Sequence, residues 1–193
     1  MTRALDDETA TRTPRGLRRL AAMLRRRLWR DQKGVASLEF VLMVPLVLII
    51  FMSAFEAGLL MTRYIMLERS LDMTMRNLRL GQYPNPTPDL IKQEVCSRSV
   101  VLGNCTANIR IELQPVSTAS WTFPTGRTGC VNREEPIQPP TTFNPGQAHQ
   151  IMLVRVCIAQ DTMFPTTGLG LGLAKDSGGA YGLVATSAFV NEP

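Results

Sequence analysis

The stretch from Val35 to Met61 is the strongest constraint on what this chain can be. It is a run of Val, Leu, Ile, Met and Phe about as long as a bilayer's hydrocarbon core is thick, charged only at Glu39 and Glu56. An acid within such a run costs a few kcal/mol on insertion scales, so Glu39 is expected to face a partner or a functional path rather than lipid. Glu56, with Gly58 and Arg63 just beyond it, is expected near the opposite interface. Ahead of the run, basic residues from Arg3 to Lys33 outnumber Asp6, Asp7, Glu8 and Asp31, whereas everything after Gly34 is close to neutral. A basic cluster abutting a hydrophobic span places the N-terminus in the cytoplasm and the remainder beyond the membrane. Met1 to Pro14 reads as a disordered tail. Leu17 to Trp29 suits either an amphipathic helix on an anionic membrane surface or a solvated basic leader. No nucleic acid is expected as a partner, because only Trp29 interleaves the arginines.

The helix need not end at the interface. Leu60, Tyr64, Leu67, Leu71, Met75 and Leu78 continue a stripe at helical spacing, and Gly81 is a candidate C-cap, so one helix is predicted from Val35 to Leu80. The Pro-rich segment from Tyr83 to Pro88 reads as a linker, and Thr87-Pro88-Asp89 as the start of a short helix to about Val101. Ile109, Ile111 and Leu113 alternate with Arg110 and Glu112 as in a half-buried strand, which Pro115 is expected to end. Residues 116 to 149 read as long loops anchored by Trp121 and Phe123. Ile151 to Ile158 is apolar on both faces apart from Arg155, as in a central strand, and Tyr181 to Val190 is a final strand. The expected fold is α+β: a long N-terminal transmembrane helix extending into a small disulfide-stapled ectodomain with an antiparallel sheet. The divisions are a basic cytoplasmic leader at 1–34, a transmembrane helix at 35–61, its extramembrane continuation at 62–80 and the ectodomain at 81–193.

Cys96, Cys105, Cys130 and Cys157 all follow the span, on the side that this topology makes oxidising. Of the three possible pairings, Cys96 with Cys105 and Cys130 with Cys157 close the shorter loops and are preferred, although spacing alone does not settle connectivity. No metal site is expected, since the chain has no C-x-x-C and its single histidine, His149, lacks a ligand partner at useful spacing. Nor is an enzyme expected, for no G-x-S-x-G, H-E-x-x-H or P-loop pattern is present, and no cofactor is called for. Gly168-Leu169-Gly170-Leu171-Gly172 lacks the third glycine and the βαβ setting of a dinucleotide loop and reads as a flexible connector. Glu134-Glu135 reads as a solvated pair.

Val35 and Glu39 stand at i, i+4 on one helix face. If the chain were cut after Gly34, the new α-amino group of Val35 would open the helix, with Glu39 one turn inside it, and the amine and carboxylate would complement each other in lipid. The order of basic leader, Gly34, Glu39 at the fifth position after it and a long apolar helix resembles the class III signal of type IV pilins and pseudopilins. More narrowly, Gly34-Val35-Ala36-Ser37-Leu38-Glu39-Phe40-Val41-Leu42-Met43-Val44-Pro45 resembles the opening of TadE-like minor pseudopilins of Flp-type (tight adherence) pilus systems, and Phe55-Glu56-Ala57-Gly58 is also similar to that family. The resemblance is strongest over about residues 30 to 80. It implies cleavage between Gly34 and Val35 by a prepilin peptidase and a role for Glu39 in subunit docking or processing. It also implies other pilus subunits and assembly-platform proteins as partners, and an inner-membrane, single-pass location with the C-terminal domain periplasmic or carried into an extracellular pilus.

The expected function is therefore that of a minor pseudopilin or pilus assembly protein that works by helix packing and ectodomain contacts. The alternative is a signal-anchored periplasmic domain that binds or senses a ligand, with the span as a mere anchor. Uncleaved Gly34 and insensitivity to Glu39→Ala would favour that alternative.

Overall fold

In a computed structural model of the chain, the described residues are 35–192 except Thr125, Arg127 and Pro136; the Met1–Pro14 tail, the Leu17–Trp29 stretch and Gly34 lie outside them. The elements in chain order are α1 (Val35–Arg79), α2 (Pro88–Ser97), α3 (Cys105–Asn108), β1 (Ile109–Val116), β2 (Ile151–Asp161), α4 (Gly168–Gly172) and β3 (Ala180–Val190). By its contacts the chain forms two units, Met1–Leu48 and Ile49–Pro193. The described part of the first is the opening of α1, where Val35, Leu38, Phe40, Leu42, Leu46 and Val47 are exposed. Pro45 lies inside α1, which continues past it.

The second unit has a single core. Leu67, Leu71, Met75 and Leu78 of α1 are buried together with Ile91 and Val95 of α2, Ile109, Ile111 and Leu113 of β1, Met152, Val154, Val156 and Ile158 of β2, and Tyr181, Leu183 and Ala185 of β3. Leu60 and Tyr64 pack against this cluster, so the stripe read from the sequence is the face that α1 presents to the sheet. At its C-terminal end, Gly81 takes φ 68°. Its N–H donates to the Leu78 carbonyl and that of Gln82 to the Asn77 carbonyl, at 3.0 and 3.1 Å. These two bonds satisfy carbonyls the helix would otherwise leave open, and a side chain at 81 would be strained. At the start of α2, the Leu90 N–H donates to the Thr87 hydroxyl oxygen at 3.2 Å, with Pro88 following the cap.

The sheet has the order β1-β2-β3 and is antiparallel throughout, with Ile109 opposite Ile158 and Ile158 opposite Leu183. β2 is central and buried on both faces, as its composition predicts. Pro115 does not end β1, which pairs on to Val116 opposite Ile151. Two residues earlier, the Leu113 N–H points away from β2 to the Thr142 carbonyl. Pro115 has the same parity on this edge strand, so its missing N–H costs no ladder bond.

Disulfides join Cys96 to Cys105 and Cys130 to Cys157, with Cα separations of 5.6 and 5.0 Å. The second fastens the long β1–β2 connection to β2. Trp121 and Phe123, expected to anchor that connection, are instead 57% and 55% exposed. Arg155 holds it by the backbone, donating to the Pro124 and Gly126 carbonyls while it pairs with Glu112 at 2.6 Å. The ion pair is mostly buried, and the Nη1 donors of Arg155 go to the two carbonyls while its buried Nε has no partner among the described residues. The Gly168–Gly172 run, expected to be a flexible connector, forms the single helical turn α4.

Candidate functional site

Val35 and Glu39 are both exposed on α1, Val35 at 55%. They share one face of the helix, as the spacing requires. Gly34 lies outside the described residues, so the geometry of the Gly34–Val35 bond is not part of the picture. The second acid of the apolar run behaves differently. Glu56, expected near the opposite membrane interface, is fully buried within the protein. Its carboxylate accepts the backbone N–H of Met163 at 2.9 Å and that of Phe164 at 3.0 Å. A buried carboxylate that receives main-chain donors meets its own hydrogen-bonding need and fixes those donors in turn.

A whole segment between β2 and β3 is laid along α1 by this contact. The Leu169 N–H donates to the Ser53 hydroxyl at 3.3 Å, and that hydroxyl donates to the Ile49 carbonyl at 2.7 Å. Thr167 meets the Met52 sulfur, and the Phe55 and Phe164 rings stand edge to face with centroids 6.1 Å apart. The glycines have a steric reason here. A Cβ on Gly168, at φ 48°, would run into the Ser53 hydroxyl, and one on Gly170 would run into the Phe164 carbonyl.

About two turns beyond Glu56, the Arg63 guanidinium donates to the Asp161 carbonyl at 2.8 Å and to the Tyr181 hydroxyl at 2.7 Å, tying α1 to the ends of β2 and β3. The Asp161 carboxylate takes two bonds from Arg133, at 2.6 and 2.9 Å. Arg133, with Arg63 adding to its effect, holds the Asp161 carboxyl below its ordinary value. Ser53, Glu56 and Arg63 thus form a row of polar side chains on α1 whose partners are mainly backbone groups, the Tyr181 hydroxyl being the exception.

Residues 34–76 match the family model described as TadE-like protein. The matched segment begins at Gly34 and covers α1 except for its last turn. Over these residues the chain is similar to the TadE-like family. Its general role is in pilus assembly, by way of a single apolar helix suited to a membrane and a disulfide-stapled ectodomain. That role is structural, and among the described residues no group of three or more His, Cys, Asp or Glu could hold a metal ion. No curated protein and no solved structure was found to match the chain. The TadE-like match takes in Glu39 and Glu56 alike and stops before the sheet.

Proposed function

We propose that this protein is a minor pseudopilin or assembly factor of a Flp-type (tight adherence) pilus. Its leader lies in the cytoplasm, residues 35–61 cross the inner membrane and the domain beyond residue 81 stands on the periplasmic side. Prepilin peptidase cuts between Gly34 and Val35, and the freed Val35 amine and the Glu39 carboxylate then dock the subunit against its neighbours. The protein works by helix packing in the membrane and by ectodomain contacts with other subunits and with the assembly platform.

The observation that carries this reading is the coincidence of the TadE-like match with α1, whose opening residues leave both the apolar side chains and Glu39 exposed. A charge on a bare apolar helix calls for a partner once lipid surrounds it. The deciding experiment is N-terminal sequencing of the protein recovered from membranes of cells that carry the matching secretion machinery. The expected start is Val35. A start at Met1 or Thr2 would leave a signal-anchored protein and make ligand binding by the ectodomain the leading reading. Glu39→Ala is expected to insert normally and to impair assembly or processing; normal pili from this variant would remove the role given to the carboxylate.

A further inference from the structure

We infer that the Met163–Leu173 segment is a second membrane contact, its apolar side chains lying among the acyl chains of the leaflet next to the ectodomain. The inference rests on the reading of residues 35–61 as a membrane span. At 1.5 Å per residue, a span begun at Val35 uses up about 30 Å of hydrocarbon by about residue 55. A span begun after Glu39 runs on to about residue 60 and sets every later position deeper. In either register Ile49 to Ser53 lies within the hydrocarbon. That is the level to which the segment descends, with Gly168 and Leu169 against Ser53 and Thr167 against Met52.

Apart from Thr166, the outward side chains at this level are apolar. Met163, Leu169 and Leu171 are 53%, 37% and 68% exposed, beside the exposed Phe51 and Phe55 of α1. They extend the bare apolar surface of the helix sideways at one height.

Six backbone N–H groups of the segment are bonded across to α1 or within the segment, whereas those of Thr166, Gly168 and Gly170 have no acceptor among the described residues. Met163 and Phe164 give their N–H groups to Glu56, and Leu169 gives its own to Ser53. Those of Thr167, Leu171 and Leu173 go to the carbonyls of Phe164, Thr167 and Leu169. Each bond made inside the protein lowers the cost of taking this backbone out of water. Lys175, at the segment's exit, donates to the Pro165 carbonyl at 3.0 Å and brings a cation to the level where the chain leaves the lipid.

The test uses the full chain reconstituted in vesicles of phosphatidylethanolamine and phosphatidylglycerol. Leu171→Cys, Val47→Cys and Ala119→Cys each add one unpaired thiol to a chain whose four cysteines are paired, and each is labelled with nitrobenzoxadiazole. All three positions are exposed, and Ala119 follows the end of β1 that pairs with Ile151, at the far end of β2 from Asp161. With doxyl-labelled lipid, the labels at 171 and 47 are expected to be quenched about threefold more than the label at 119. Quenching at 47 with a water-like response at 171 overturns the inference and leaves the anchor standing. Quenching at neither overturns the anchor as well. A label at 171 that is shielded from water yet untouched by doxyl lipid means that protein, such as a second copy, covers this surface, and it overturns the inference too.

Discussion

Residues 35–48 and 49–79 belong to one helix and differ in how far the fold covers them: Ile49, Ile50, Phe51, Phe55, Met61 and Ile65 of the second are still exposed, but one face of it is packed. In the first stretch the large apolar side chains are exposed apart from a half-buried Val44, and an exposed Glu39 sits among them. In the second, Leu67, Leu71, Met75 and Leu78 are sealed by a sheet, and Glu56 is buried beneath main-chain donors. The same helical propensity serves both stretches, so propensity cannot be what distinguishes them. The second is held by what the chain itself supplies. The first leaves its apolar surface uncovered, and its carboxylate lacks the cover given to Glu56. The fold itself satisfies Glu56, while Glu39 is open to the partner proposed above.

That contrast can be broken most forcefully in the core. Leu67→Ala empties a fully buried site and is expected to cost about 4 kcal/mol in denaturant unfolding of the detergent-solubilised protein. Val47→Ala should leave the same transition in place, and a comparable loss there would mean that the first stretch has a packed core of its own. Next in size are the staples. From loop length alone, serine at Cys130 and Cys157, which stand 27 residues apart, is expected to cost roughly 3.5 kcal/mol. Serine at Cys96 and Cys105, with a separation of 9, should cost roughly 2.5 kcal/mol, and the order of the two midpoints checks the assignment.

The two acids sharpen the comparison further. Glu56→Ala strips a buried carboxylate from the Met163 and Phe164 N–H groups and should cost about 2 kcal/mol, while Glu39→Ala should shift the unfolding midpoint by nothing measurable. Equal shifts would erase the distinction between them. The smallest effect belongs to Asp161. Its folded value lies below its unfolded one, so the stability it contributes is complete above the ordinary carboxylate range and is lost as pH falls through the lowered value. Its side chain is 67% exposed, so water screens the Arg133 pair and the contribution stays below about 1 kcal/mol. An acid titration of stability in which Asp161→Asn matches the parent at every pH would remove even that.

The parts of the fold that are legible in the sequence are those governed by local pattern. The stripe from Leu60 to Leu78 is periodic because one face of α1 meets the sheet, and Ile109 to Leu113 alternate because β1 is half covered. Glu56 is the counterexample. Its partners are backbone N–H groups 107 and 108 residues away, and since any residue but proline carries that donor, the identities of Met163 and Phe164 carry no trace of the contact. A sharper signal was the glycine spacing at 168 and 170, which reflects close approach to Ser53 and to the Phe164 carbonyl rather than flexibility. Trp121 and Phe123 mislead for a related reason. Their apolar bulk suggests anchors, yet the connection is fixed by Arg155 through carbonyls that no side-chain pattern encodes.

The cysteines pair in the order in which they occur, first with second and third with fourth, so neither bridge encloses or crosses the other. This arrangement bears on biosynthesis. An oxidant that meets thiols in the sequence in which they leave a translocation channel closes Cys96–Cys105 before Cys130 has emerged, and then has only one pair left to join. Thiol exchange between wrong partners, the slow step when bridges interleave, is not needed to reach the native connectivity. If the ectodomain is exported as proposed, an oxidase suffices for both bridges and no isomerase is required.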